Sequence, residues 1–177
     1  MIKSTHNYPP LEMIIDIDVK AFNGGPKIKI YDDEKVIYDE QLSTPGPQQI
    51  VINTHVLFPN KLIIEHYDKQ PNDTKVADNG MIIDDKGLVI NKITLNNSTL
   101  ENELYLCPTI LESGEVLPNN NYLGHNAKFV IDVDHADIGF WQSNLQKYVA
   151  STLEAFDYNK FKIELFGTDD ISNIVEY

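Results

Sequence analysis

Met13-Ile14-Ile15-Asp16-Ile17-Asp18-Val19-Lys20 decides how this chain is read. Met13, Ile15, Ile17 and Val19 fall on one side of a two-residue repeat; Ile14, Asp16, Asp18 and Lys20 fall on the other. Successive side chains of a strand point to opposite faces, so this is a strand with one face in a core and one toward water. Asn23-Gly24-Gly25-Pro26 ends it, because Asn and Gly tolerate positive φ and Pro lacks a ladder donor. Lys27 to Tyr31 and Lys35 to Tyr38 flank Asp32-Asp33-Glu34 and read as a hairpin. Gln49 to Asn53, Lys61 to Tyr67 and Gly87 to Leu95 add further strands, and Met81-Ile82-Ile83 adds a short edge run.

No ten-residue helical pattern interrupts the first hundred residues. Parallel βαβ units are therefore disfavoured, and a mainly β antiparallel sandwich or jelly roll is expected. After Pro118 to Asn121, a loop, Lys128 to Val133 reads as another strand. Trp141, Leu145, Tyr148, Val149, Leu153 and Phe156 then share one stripe at helical spacing, which predicts an amphipathic helix over 141–156. Phe161 to Phe166 reads as a closing strand, and 168–177 as an acidic tail. The organisation expected is a sandwich core over 1–107. Residues 108–177 would form a strand-helix-strand extension packed on it.

The 177 residues carry 14 cations against 27 carboxylates, a net charge of −13, and every cation is lysine. Nucleic-acid phosphates call for a basic face and favour arginine, so DNA and RNA partners are excluded. Anionic membrane surfaces are excluded on the same ground. Residues 1–10 show no apolar signal core, and no apolar run approaches the ~20 residues that span a bilayer, so a soluble protein is expected. The lone Cys107 forms no internal disulfide and reads as a small core residue.

Catalytic motifs are missing: no nucleophile elbow, no glycine-rich phosphate loop and no zinc-ligand spacing occur. The pairs Asp16/Asp18 and Asp132/Asp134 sit near strand ends and read as solvated rather than as a glycosidase acid pair. Two kinds of binding site have candidates. Tyr122 beside Asn120 and Asn121, together with Tyr67, offers aromatic rings and amides for a sugar. Asp73, Asp84 and Asp85 lie in the acidic stretch from Asp68 to Lys86, where Pro71, Asn79-Gly80 and Asp84-Asp85 read as turns and hard oxygens would suit Ca²⁺.

Three stretches carry a resemblance: Lys27-Ile28-Lys29-Ile30-Tyr31 with Lys35-Val36-Ile37-Tyr38-Asp39; Asn60 to Lys69 with Asn72-Asp73-Thr74; and Ile82 to Ile93. Their layout, over residues 12–96, resembles short β-sandwich accessory proteins of tailed-bacteriophage virions. It is also similar to xylan-binding-type carbohydrate-binding modules. The first resemblance implies a non-catalytic virion structural protein on the outer surface or tail, for which 21 Ile, 17 Asn and 6 Ala point to an AT-rich genome. It would act through other virion proteins and as a homo-oligomer, with Trp141, Leu145 and Tyr148 as interface candidates. The second implies a polysaccharide-binding module, with Asp73 and Asp84/Asp85 in the loop comparable to its ligand-bearing one.

Overall fold

The computed structural model describes residues 10–55, 60–117 and 120–133, with single positions at 139, 142, 143 and 146. The chain divides into two compact units, residues 1–142 and 143–177. In the second unit the described Ser143 and Gln146 are helical and exposed. The helix expected over 141–156, with Trp141, Leu145 and Tyr148, gains no support, since nearly all of it falls outside the described residues. The strand expected over 161–166 and the tail also lie outside them.

The first unit holds twelve described strands. They are β1 (Pro10–Ala21), β2 (Lys27–Asp32), β3 (Lys35–Gln41), β4 (Gly46–His55), β5 (Asn60–Tyr67), β6 (Thr74–Val76), β7 (Ile82–Leu95), β8 (Ser98–Leu100), β9 (Thr109–Leu111), β10 (Val116–Leu117), β11 (Tyr122–Leu123) and β12 (Ala127–Val133). One sheet runs β11-β7-β1-β4, with β6 and β8 also on β7; the other runs β10-β9-β12-β5-β2-β3. Every pairing among them is antiparallel. The expected sandwich architecture is found. Residues past 107, expected as an extension, supply β9 to β12 within these same sheets.

The core follows the period-two reading. Leu11, Met13, Ile15, Ile17 and Val19 of β1 are all buried, and from the other sheet so are Ile28, Ile30, Leu62, Ile64, Phe129 and Ile131. In β7 the alternation changes phase: Leu88 and Ile90 are buried, then Ile93 and Leu95. The register with β1 shifts between Asp16 and Ile17, whose partners are Lys92 and Ile90, so Asn91 is the extra residue of a β-bulge. Without that bulge, Ile93 and Leu95 would face solvent. Turn residues behave as their chemistry requires. Asn23, Asp33 and Asn96 all adopt positive φ, the conformation for which Asn and Asp are the tolerant non-glycine choices.

One stretch departs from the sequence expectation. Asp84-Asp85 is not a turn but part of the 14-residue β7, paired through Lys75 and Thr74 to β6. A carboxylate can sit inside this strand because Asp85 has its own cation, described below. The projecting β6–β7 hairpin leaves Val76, Met81, Ile82 and Ile83 each more than half exposed.

β11 approaches β7 closely at Gly87. A Cβ built there would lie 2.6 Å from the Leu123 carbonyl oxygen, which is backbone and cannot rotate away. Gly87→Ala is therefore expected to lower unfolding free energy by about 1–3 kcal/mol, the usual range for overpacking. Val51→Ala on the exposed face of β4 should change it by no more than about 0.5 kcal/mol. Urea denaturation of the two variants checks the difference; equal midpoints would contradict the close approach.

Candidate functional site

Four segments meet at one end of the sandwich: residues 66–74 after β5, the start of β7, β11, and the 124–126 link into β12. Asp85 is 4% exposed, and its carboxylate is fully partnered. Its Oδ1 accepts from Lys69 Nζ at 2.5 Å and from Thr74 Oγ1 at 2.6 Å; its Oδ2 accepts from the Tyr122 hydroxyl. Lys69 Nζ also donates to the Gly124 carbonyl. Nearby, Asp73 Oδ2 accepts from Lys86 Nζ at 2.5 Å and from the Gln70 amide at 2.9 Å. Burial pushes both carboxyls up, but the donors outweigh it and hold both below the ordinary carboxylate value.

His66 belongs to the same end. It is fully buried, and Nδ1 lies 3.0 Å from the Leu123 carbonyl oxygen, so Nδ1 carries the proton and donates. Nε2 is buried without a partner. Burial, with the nearby Lys69 and Lys86 charges adding to it, pushes the imidazole down to about 4, against the pull of the backbone carbonyls. The ring is therefore neutral at physiological pH.

Beside this network lies a groove of about 400 Å³. Its polar rim is Glu65, Tyr67, Asp68, Glu112, Asn126 and Lys128, and Ile110, Leu111 and Ala127 supply apolar lining. A second recess of about 360 Å³, reaching Lys69, Pro71 and Thr74, shares Leu111, Glu112 and Asn126 with it. The groove exists because β12 pairs with β5 only as far as His66, leaving Tyr67 and Asp68 beyond the ladder. Asn126 is held in place at that rim: Oδ1 accepts from the Lys69 amide at 2.8 Å, and Nδ2 lies 3.3 Å from the Lys69 carbonyl and from Glu112 Oε2. Asp68 takes a positive φ at the rim and pairs with Lys27.

The outer face of the same sheet continues from the rim. Asp39, Lys29, Glu65 and Lys128 stand opposite one another across β3, β2, β5 and β12. This row of alternating charge anchors two tyrosines. Tyr67 donates to Asp39 at 2.6 Å with Lys29 Nζ 4.2 Å from its ring centroid. Tyr31 donates to Glu65, with Lys128 Nζ 5.8 Å from its ring centroid. Both phenols are pushed up to about 12, Tyr31 by burial first and Tyr67 by its bond to Asp39 first.

The residues singled out from sequence therefore separate. Tyr122 and Asp85, considered for different ligands, touch each other. Asn120 and Asn121 hold the chain: Asn120 accepts from Thr109 and the Tyr122 amide, and Asn121 Nδ2 donates to the Ile90 carbonyl at 3.0 Å. Tyr67 sits on the other sheet, at the groove. Asp73, Asp84 and Asp85 do not converge on one point: the buried carboxylates of Asp73 and Asp85 each face a lysine, while exposed Asp84 accepts from the Asp85 amide. Among the described residues no cluster of three His, Cys, Asp or Glu side chains is arranged for a metal ion. Asp68 and Asn126 lie in the loops Asp68–Asp85 and Asn119–Asn126 that the sequence offers for a sugar, whereas Glu112, Lys69 and Lys86 had no motif to announce them.

No protein-family model matches the chain, and no curated protein sequence matches it. Among solved structures, a SeMet form of vCBM60 matches at TM-score 0.50 and 11% identity, covering 71% of this chain and 96% of that one. It is described within work on circular permutation linking two families of calcium-dependent carbohydrate-binding modules. vCBM60 in complex with galactobiose matches at TM-score 0.46 and 13% identity, covering 68% of this chain and 97% of that one. At 11% identity the first likeness shows a shared fold. The virion reading, with its outer-surface or tail location and its assembly partners, gains no support from these comparisons. Among the described residues no helix is long and apolar enough to cross a membrane.

Acid should weaken this end in two stages. Folded His66 binds a proton only near pH 4, whereas unfolded His binds near 6.5, so the unfolded state gains protons first and stability falls as pH drops through that window. The loss expected from His66 is about 3 kcal/mol. Below the ordinary value of 3.8, protonating Asp73 and Asp85 removes more. Urea midpoints measured from pH 7 to 3 check both stages; a flat profile between 6.5 and 4 would contradict the first.

Proposed function

We propose that this chain is a non-catalytic carbohydrate-binding module that takes a saccharide in the groove between Tyr67 and Asn126. The observation that carries this reading is the groove itself: a held aromatic ring and a ring of amide and carboxylate groups around an apolar floor. A pyranose has apolar C–H faces and a belt of hydroxyls, so it suits a site that offers both surfaces within about 300–1,000 Å³. The supporting fold is a sandwich shared with modules described as binding carbohydrate.

Tyr67 provides the contact surface, and its bonds to Asp39 and Lys29 hold the ring before any ligand arrives, which lowers the ordering cost. Glu112, Asp68 and Asn126 provide hydrogen-bond partners for hydroxyls. A binding role, rather than glycoside hydrolysis, is supported by the carboxyls at this end. A general acid needs a raised carboxyl, while Asp68 at the groove is held low by Lys27, as are Asp73 and Asp85 beside it. Burial, with Asp132 and Glu103 nearby, pushes the Cys107 thiol up to about 12, which makes it a poor nucleophile.

Affinity electrophoresis through a panel of soluble polysaccharides tests the reading. The wild-type protein should be retarded by at least one of them. Tyr67→Ala should weaken that binding about tenfold or more, a loss of roughly 1.4 kcal/mol, with little change in melting temperature. Tyr122→Phe should do the reverse: unchanged retardation, but about 2 kcal/mol lost in stability as the buried Asp85 carboxylate loses a donor. No retardation on any polysaccharide, or unaltered retardation in Tyr67→Ala, would sink the proposal.

A further inference from the structure

We infer that Lys69 and Lys86 serve as tethered cations that neutralise Asp85 and Asp73, so that this end of the sandwich is held together without a divalent ion. The lysine side chains are 8% and 12% exposed and their aspartate partners 5% each, so both pairs are removed from water. Two ammoniums bring the same +2 that one calcium ion would bring. Calcium takes six to eight oxygens with their lone pairs turned toward it. Here most of those lone pairs already take donors: Asp85 receives Lys69 and Thr74 at Oδ1 and Tyr122 at Oδ2, and Asp73 receives Lys86 and Gln70 at Oδ2. A calcium ion placed between the two carboxylates would also meet both ammoniums at close range, where like charges repel strongly.

Lys69 does more than neutralise. It donates to the Gly124 carbonyl as well as to Asp85, and Gly124 leads into Asn126 at the groove rim. The tether therefore links β7 to the segment that shapes the groove. The inference holds whether or not the groove takes a saccharide.

Amine acetylation of the native protein, mapped by peptide mass spectrometry, tests it without any substitution. Lys69 and Lys86 should react about tenfold or more slowly than exposed Lys61, because labelling needs local opening. Their rates should be the same in EDTA and in millimolar calcium chloride. In thermal melts with EDTA, Lys69→Met and Lys86→Met should each lower the melting temperature by more than about 5 °C, since each strands a buried carboxylate. Any calcium-induced rise in wild-type melting temperature should persist in Asp73→Asn and Asp85→Asn, which places that ion elsewhere in the chain. Faster labelling of either lysine in calcium, lysine variants that melt like wild type, or a calcium-induced rise abolished by either asparagine variant would overturn the inference.

Discussion

Asp85 sits inside a long strand with almost no access to water, and what allows it to be there is the ammonium of Lys69. A buried carboxylate without a partner would be protonated or would unfold the segment around it. With Lys69, Thr74 and Tyr122 donating, the charge becomes a joint that ties the chain after β5 to β7 and β11. The companion pair of Asp73 and Lys86 joins the same 69–74 segment to β7 a second time. Such pairs often contribute little net stability compared with an apolar replacement, but they fix which segments meet. The groove inherits that fixing, because Asn126 reads its position from the backbone of Lys69.

The two sheets give the joint something rigid to stand on. β1 lies between β7 and β4 and presents five buried apolar side chains to the opposite sheet, where β5 and β12 reply with Leu62, Ile64, Phe129 and Ile131. The bulge at Asn91 lets one strand serve both halves of that core. It also leaves Lys92 on the outer surface, 2.7 Å from Asp16. Charge on this protein is thus organised locally into pairs and one cross-strand row, even though the chain as a whole is strongly acidic. Copies of a chain carrying an excess of 13 negative charges repel one another at low ionic strength.

Much of the fold was legible. The strands at 13–20, 27–38, 61–67 and 128–133 were readable because each has one face in the core and one in solvent, which writes a two-residue period into the sequence. Asn23, Asp33 and Asn96 were readable because few residues accept positive φ. β7 was misread at Asp84-Asp85 because two adjacent acids look like a turn until the lysine that neutralises one of them is known, and that lysine lies sixteen positions away. The site was less legible. Tyr67 was found as an aromatic on a strand and Asn126 as the end of a polar loop, but Glu112 comes from a turn with no periodicity to mark it.

What the amino-acid sequence determined by itself is the sandwich, its polar outer faces and its acidity. Alternation, turn chemistry and net charge are local or additive properties that need no knowledge of which strands touch. What only the tertiary structure decided is the use of the polar residues. Tyr122 and Asp85, 37 positions apart, became hydrogen-bond partners, and Asp73 and Asp85 became halves of two separate ion pairs. A side chain's donors and acceptors are assigned by its neighbours in space, and those neighbours are set by sheet order and register, which no single stretch of the chain encodes.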